Sequence, residues 1–320
     1  MRGKHKITIS NNFVQYRFEI CRNITVIKGD SATGKTTLVD MIREYYENGE
    51  QSGVSLSCDK KCMTLEGKQW EILLEQMHDT IVFIDEGNSF ISSNEFSEMV
   101  RNSDNYYVIV TREKLPNLPY SVDEIYGIKT SGKYGALKKT YNEFYRIYGD
   151  LAGKSFEPSL VLVEDSNSGY EFFEEISKGY DWDVFSAGGK TKIFDCLQQN
   201  KDKNIIVIAD GAAFGSEIDQ IMKLMQYSKG ILLYLPESFE WLILKSNIFN
   251  DKMITNILEN PSDYIDSEKY MSWERFFTAL LVEKTNGSYL KYSKNKLNKV
   301  YRDRQNLEKI MEVIPNTLLQ

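Results

Sequence analysis

Gly29-Asp30-Ser31-Ala32-Thr33-Gly34-Lys35-Thr36 is a complete G-x-x-x-x-G-K-[ST] phosphate loop. It lies between an apolar run, Ile24-Thr25-Val26-Ile27, and a stretch of helical character, Thr37-Leu38-Val39-Asp40-Met41-Ile42, which is the strand-loop-helix setting the pattern needs. Glycine at 29 and 34 lets the backbone curl into a nest of N–H donors that touch phosphate oxygens with no Cβ in the way. Lys35 then reaches the outer phosphates and Thr36 offers its hydroxyl to Mg²⁺. The helix that begins at Thr37 turns its positive end toward the anion. The stretch from Gly29 to Thr37 is therefore expected to bind a nucleoside triphosphate, with ATP as the expected ligand.

A second element complements the loop. Thr80-Ile81-Val82-Phe83-Ile84 is a β-branched and aromatic run that ends in Asp85-Glu86, as a buried parallel strand does at its carboxyl edge. It resembles the Walker B element of P-loop NTPases. That resemblance implies that Asp85 holds Mg²⁺ through water and that Glu86 polarises the attacking water, the pair that separates a hydrolase from a passive binder. A third run, Tyr106-Tyr107-Val108-Ile109-Val110, ends in Thr111-Arg112. In P-loop ATPases the strand beside Walker B often ends in a polar residue that senses the γ-phosphate, which makes Thr111 a candidate. Arg112 is either an arginine finger or a surface charge.

Upstream of the loop, Lys6 to Phe13 and Val14 to Ile20 alternate apolar and polar side chains and meet at Asn11-Asn12, the pattern of an antiparallel hairpin. An antiparallel layer leading into the phosphate-loop strand resembles the start of ABC-type and SMC-like ATPases. The interval from Lys35 to Asp85 is short for that family, and no LSGGQ-type signature precedes the acidic strand, so a reduced core is expected.

A chain of 320 residues exceeds one ordinary core. It suits two domains of about 150 residues, taken as 1–150 and 151–320. With 42% hydrophobic and 27% charged residues and no apolar run of membrane-spanning length, an integral membrane protein is excluded. The basic start, Met1 to Lys6, leads into a strand pattern and not into an apolar signal core, so a cytoplasmic location is expected. Cys21, Cys58, Cys62 and Cys196 are too scattered for a disulfide framework and fit a reducing compartment. Cys58 and Cys62 offer two zinc ligands, but neither His5 nor His78 has metal-finger spacing. A net charge of −7 argues against a uniformly basic nucleic-acid surface and leaves room for a local one.

Between Gly127 and Pro158 the sequence is polar, glycine-punctuated and then tyrosine-rich, and reads as the connection between domains. From Ser159 strand and helix patterns alternate: Leu160 to Glu164, Gly169 to Ser177, Trp182 to Phe185, Ile193 to Gln199, Asn204 to Asp210, Ser216 to Tyr227, then Ile231 to Leu235. Such alternation predicts a parallel sheet with right-handed crossovers. Helical, increasingly polar sequence follows from Asp251. Acids fall at the strand ends: Glu164 and Asp165, Asp210, and Glu237 and Glu240. Carboxylates converging on one sheet edge repel unless a cation or protons intervene, so Mg²⁺ or Mn²⁺ is expected there.

The order Val163-Glu164, Phe185-Ser-Ala-Gly188-Gly189-Lys190, Ile208-Ala-Asp210-Gly and Pro236-Glu237-Ser-Phe-Glu240 resembles a TOPRIM domain, most closely those of overcoming-lysogenisation-defect nucleases and the TOPRIM partner of the PARIS anti-phage system. The resemblance implies that Glu164 and Asp210 bind metal and take part in phosphodiester chemistry. TOPRIM domains carry D-x-D at the third strand, whereas this chain has Asp210-Gly211-Ala212, so the second acid is missing unless Glu217 or Glu237 replaces it. Lys190, in a glycine turn without the first glycine of a phosphate loop, is expected near the acidic edge. In the tail, Lys291, Lys294, Lys296, Lys299, Arg302 and Arg304 interleave with Tyr289, Tyr292 and Tyr301, which offers phosphate neutralisation with base stacking, or else a solvated helix face.

The expectation is an α/β chain in which an ATP-hydrolysing P-loop domain regulates a TOPRIM-like, metal-dependent nucleic-acid-processing domain in a mobile-element or phage-defence setting. A homo-oligomer or a partner protein is expected with it. The alternative is a degenerate TOPRIM domain that serves as a binding or sensor module.

Overall fold

The structure, a computed structural model, describes residues 1–30, 33–131, 139–149 and 157–315. Contacts between Cα atoms divide the chain into two compact units, Met1–Tyr148 with Asn260–Met271, and Gly149–Glu259 with Ser272–Gln320. The chain is mixed α/β, with a large mixed sheet in the first unit and a separate parallel sheet in the second.

In the first unit, β1 (His5–Ser10) and β2 (Val14–Ile20) form an antiparallel hairpin. The turn is fixed by Asn11, whose side-chain oxygen accepts the N–H groups of Phe13 and Val14, each at 2.9 Å. The fully buried β3 (Ile24–Ile27) feeds the phosphate loop, and α1 (Lys35–Asn48) follows. Next come β4 (Ser55–Ser57), β5 (Lys61–Thr64), α2 (Trp70–Glu75), β6 (Thr80–Ile84), α3 (Asn94–Arg101), β7 (Tyr106–Val110), β8 (Ile125–Ser131) and β9 (Thr140–Arg146). Every residue of β6 and β7 is buried, as continuous apolar runs in a covered parallel sheet must be.

The nine strands run in the order β4-β1-β2-β9-β8-β3-β7-β6-β5. Its two edge strands, β4 and β5, are consecutive in the chain and joined by Cys58-Asp59-Lys60 alone. Such a link spans at most about 14 Å, so the sheet has to curl until its edges nearly meet. Helix α1 packs against β1, β4, β5 and β6 inside that curl. Its Leu38, Val39, Met41 and Ile42 share one core with Ile7, Ile9, Tyr16 and Phe18 from one side and Cys62, Ile81 and Phe83 from the other. The helix that carries the phosphate loop is thus seated by both halves of the sheet.

Two readings of the sequence need correction. The stretch taken as a connection from Gly127 to Pro158 contributes β8 and β9 to the first sheet, where β9 runs parallel to β2 and antiparallel to β8. Tyr141 to Arg146 carries no clean alternation of apolar and polar residues of the kind that marks a strand. The second is Asn260–Met271, taken as part of the second half, which joins the first unit. Ser262 accepts the Gly3 N–H at 2.8 Å, Asp266 pairs with Arg2 at 3.2 Å, and Asn23 donates to the carbonyls of Ser267 and Tyr270 at 3.3 Å each.

In the second unit, β10 (Leu160–Val163), α4 (Ser168–Ser177), β11 (Asp183–Ser186), α5 (Ile193–Gln199), β12 (Ile205–Ile208), α6 (Ile218–Tyr227) and β13 (Ile231–Tyr234) alternate. The sheet order is β11-β10-β12-β13 and all neighbours are parallel. Helices α7 (Phe239–Lys245) and α8 (Lys252–Glu259) follow, then α9 (Pro261–Tyr264) in the first unit, and α10 (Trp273–Thr285) and α11 (Arg304–Met311) back in the second. No helix among the described residues is long and apolar enough to cross a membrane.

Candidate functional site

In the first unit, the ends of β3, β7 and β6 lie side by side on one sheet edge. The loop after β3 takes backbone angles that glycine alone tolerates well, with φ of 128° at Gly29 and 86° at Gly34. Lys35 is buried, and its ammonium donates to the carbonyls of Gly29 at 2.9 Å and Asp30 at 2.5 Å and to the Thr33 hydroxyl at 3.1 Å. Burial holds its ammonium below the ordinary lysine value, and the positive charge of Arg112 adds to this. The lysine is thus gathered at the mouth of its own loop, partly desolvated, where an anion is the natural extra partner. Ser31 and Ala32, also expected to contact phosphate, lie outside the described residues. Thr36 and Thr37 are exposed on the first turn of α1.

Asp85 and Glu86 follow β6 directly. One Asp85 carboxylate oxygen accepts the Glu86 N–H at 2.8 Å, and Glu86 pairs with Arg112 at 2.9 Å. Between the phosphate-loop strand and the acidic strand stands β7, so Thr111 sits between the two halves of the site, with its N–H on the Ile27 carbonyl at 3.2 Å. Mg²⁺ is commonly held by one or two carboxylates together with phosphate and water, and Asp85 is a carboxylate at this edge, with Thr36 a hydroxyl on the first turn of α1.

Two residues of this site were not recognised in the sequence. Tyr16 of β2 donates its hydroxyl to the Gly34 carbonyl at 2.7 Å, and Asn142 of β9 hydrogen-bonds to the Tyr16 hydroxyl in turn. The inward position of Tyr16 was legible from the alternation in β2. Asn142 lay in the stretch taken for a connection.

In the second unit, Glu164 follows β10 and Asp210 lies two residues beyond β12, adjacent strands of the sheet, and the two acids meet. The Asp210 N–H donates to Glu164 Oε2 at 3.0 Å, and Asp210 Oδ1 accepts the Phe239 N–H at 3.2 Å. Burial raises both carboxyls above their ordinary range. Asp210 is raised well above it, and the charges of Glu274, Glu164 and Glu240 add to the burial. Glu217 accepts from Ser216 and Gln220. Glu274 and Glu240 are further acids whose charges act on Asp210. Glu240 was visible as a strand-end acid, whereas Glu274 lies on α10 and had no sequence signal.

A cation is built into this cluster. Lys294 Nζ binds Glu274 Oε1 at 2.5 Å, and the charges of Glu274, Glu240 and Asp210 hold the lysine firmly protonated. Lys190 donates to the Ala213 carbonyl at 2.8 Å, and its charge also acts on Glu164. The space bounded by Glu164, Asp165, Asp210 and Phe239 measures about 20 Å³, room for one water. Among the described residues no three His, Cys, Asp or Glu side chains are arranged to hold a metal ion. The residues at this edge, as they stand, do not fit a hydrated divalent cation.

The basic tail also differs from expectation. Tyr292 and Tyr301 are buried, Tyr292 bonding Ser168 at 2.6 Å and Glu240 at 2.9 Å and Tyr301 bonding the Leu290 carbonyl at 2.6 Å. Arg302 pairs with Glu171 and Arg304 with Glu308. Of the three tyrosines only Tyr289, at 78% exposure, has a ring available for stacking.

Neither a family model nor a curated protein matches this chain.

Proposed function

We propose that the first unit binds and hydrolyses ATP with Mg²⁺, and that nucleotide occupancy regulates the second, TOPRIM-like unit in a mobile-element or phage-defence setting. The reading is carried by one arrangement: Lys35 poised in its loop at the end of β3, with Asp85 and Glu86 on the same sheet edge and Thr111 between them. Glycine N–H groups and Lys35 bind the phosphates, Thr36 and Asp85 hold Mg²⁺, and Glu86 orients water for attack on the γ-phosphate.

For the second unit the observations favour a binding or sensor module over a metal-dependent nuclease. Lys294 supplies the positive charge that the acids need, and Gly211-Ala212 stands where the second acid of D-x-D is required. Incubation of the purified chain with plasmid DNA and Mn²⁺, with and without ATP, tests this. Intact plasmid with ATP hydrolysis preserved is the expected result; cleavage lost in Glu164→Ala and Asp210→Ala restores the nuclease reading.

A further inference from the structure

Cys58 opens the link between the two edge strands β4 and β5, and Cys62 is the second residue of β5. Both sulfurs gather on the peptide groups of one residue. The Lys60 N–H donates to Cys58 Sγ at 3.4 Å, and the Cys62 thiol donates to the Lys60 carbonyl at 3.7 Å. Cys58 turns its own S–H toward Asp59 Oδ1 at 3.7 Å, and the two thiols lie near enough to influence each other electrostatically. Cys58 is partly exposed, whereas Cys62 is buried in the core that seats α1. The turn is pinned from both sides: Lys60 Nζ holds the Asp79 carboxylate at 2.5 Å, and Asp59 takes Nδ1 of the buried His5 at 2.9 Å.

We propose that Cys58 and Cys62 form a reversible, peroxide-responsive dithiol that closes to an intramolecular disulfide at the seam of the sheet. Cys62 and the Lys60 N–H favour the thiolate of Cys58 against its partial burial and the Asp59 carboxylate, while Cys58 and burial keep Cys62 a thiol, so the more exposed sulfur is the nucleophile. The Cys58 thiolate attacks one oxygen of hydrogen peroxide, the O–O bond breaks, and the departing hydroxide takes a proton to become water. Cys58 then carries a sulfenic acid. Cys62 loses its proton, its sulfur attacks Cys58 Sγ, the S–O bond breaks, and the second oxygen leaves as water. Both sulfurs are oxidised and one peroxide is reduced to two waters. Cys21 is set apart by its surroundings: burial and the Glu124 carboxyl push its thiol up to about 12, so it stays unreactive.

The test uses the full chain, freed of reductant and treated with stoichiometric hydrogen peroxide, then alkylated, digested and read by mass spectrometry. The expected product is the segment spanning Cys58 and Cys62 lighter by two hydrogens, restored by dithiothreitol, with Cys21 still alkylated. In Cys62→Ser a sulfenic acid on Cys58 is expected to accumulate and to be trapped by dimedone. Alkylation of both thiols at the untreated level, or oxidation of Cys21 ahead of Cys58, overturns the proposal. The readout is covalent and independent of nucleotide binding, so it stands or falls apart from the ATPase reading.

Discussion

The Tyr16 hydroxyl donates to the Gly34 carbonyl at 2.7 Å, so the N-terminal hairpin supports the phosphate loop from behind. A Cβ built on Gly34 falls 2.6 Å from that hydroxyl, and the residue already has a φ of 86°. Gly34→Ala therefore meets both a backbone penalty of about 1–2 kcal/mol and a clash. It is expected to lower ATP affinity at least tenfold in a fluorescent-nucleotide titration. Tyr16→Phe keeps the shape and removes one hydrogen bond worth about 1 kcal/mol, so its loss is smaller. Equal affinity of Gly34→Ala and the wild type contradicts the role given to this contact.

Glu86→Gln separates binding from chemistry. The amide keeps the size of the side chain and removes the carboxylate proposed to orient water, so kcat for ATP hydrolysis is expected to fall by about 10²–10⁴-fold with nucleotide affinity little changed. Steady-state phosphate release together with a binding titration measures both. Unchanged kcat removes Glu86 from the reaction.

Lys294→Met tests the built-in cation. Losing the ammonium leaves Glu274, Glu240 and Asp210 without their shared counter-charge. Lys294 is 36% exposed, so water screens part of the loss and a destabilisation of about 1–2 kcal/mol is expected. Urea unfolding of the second unit's transition measures it. A variant as stable as the wild type contradicts the role.

Asp210 sets a pH dependence. Its folded carboxyl titrates well above the ordinary range because of burial and the neighbouring acids. Between the unfolded and folded values the folded state binds the extra proton, so stability falls as pH rises through that window. Asp210→Asn removes this slope. The stability of the variant relative to the wild type is therefore expected to increase from acid toward neutral pH in denaturation series, and a constant difference contradicts it.

Much of this was legible along the chain because the signals are local. The phosphate loop carries its own glycines, the β6 run its own terminal acids, and the alternation from Ser159 its parallel sheet. What escaped were contacts made by folding. Asn142 reaches Tyr16 behind the phosphate loop only because β9 lies beside β2, and Glu274 and Lys294 reach Asp210 from regions distant in sequence. The joining of Asn260–Met271 to the first unit rests on hydrogen bonds to residues 2, 3 and 23, which no local pattern announces. Buried Tyr292 and Tyr301 show the same limit, since a polar, tyrosine-rich tail reads alike whether its rings face water or core.

The central claim is that the loop from Gly29 to Thr36 grips a triphosphate. Isothermal titration of the wild-type chain and Lys35→Ala with ATP and Mg²⁺ tests it most directly. The wild type is expected to bind, and Lys35→Ala to lose about 1.5–3 kcal/mol, the worth of charge-assisted hydrogen bonds, while keeping its unfolding transition. A folded wild-type chain that releases no heat with saturating Mg²⁺ and ATP, or a Lys35→Ala variant that binds as tightly, contradicts the account.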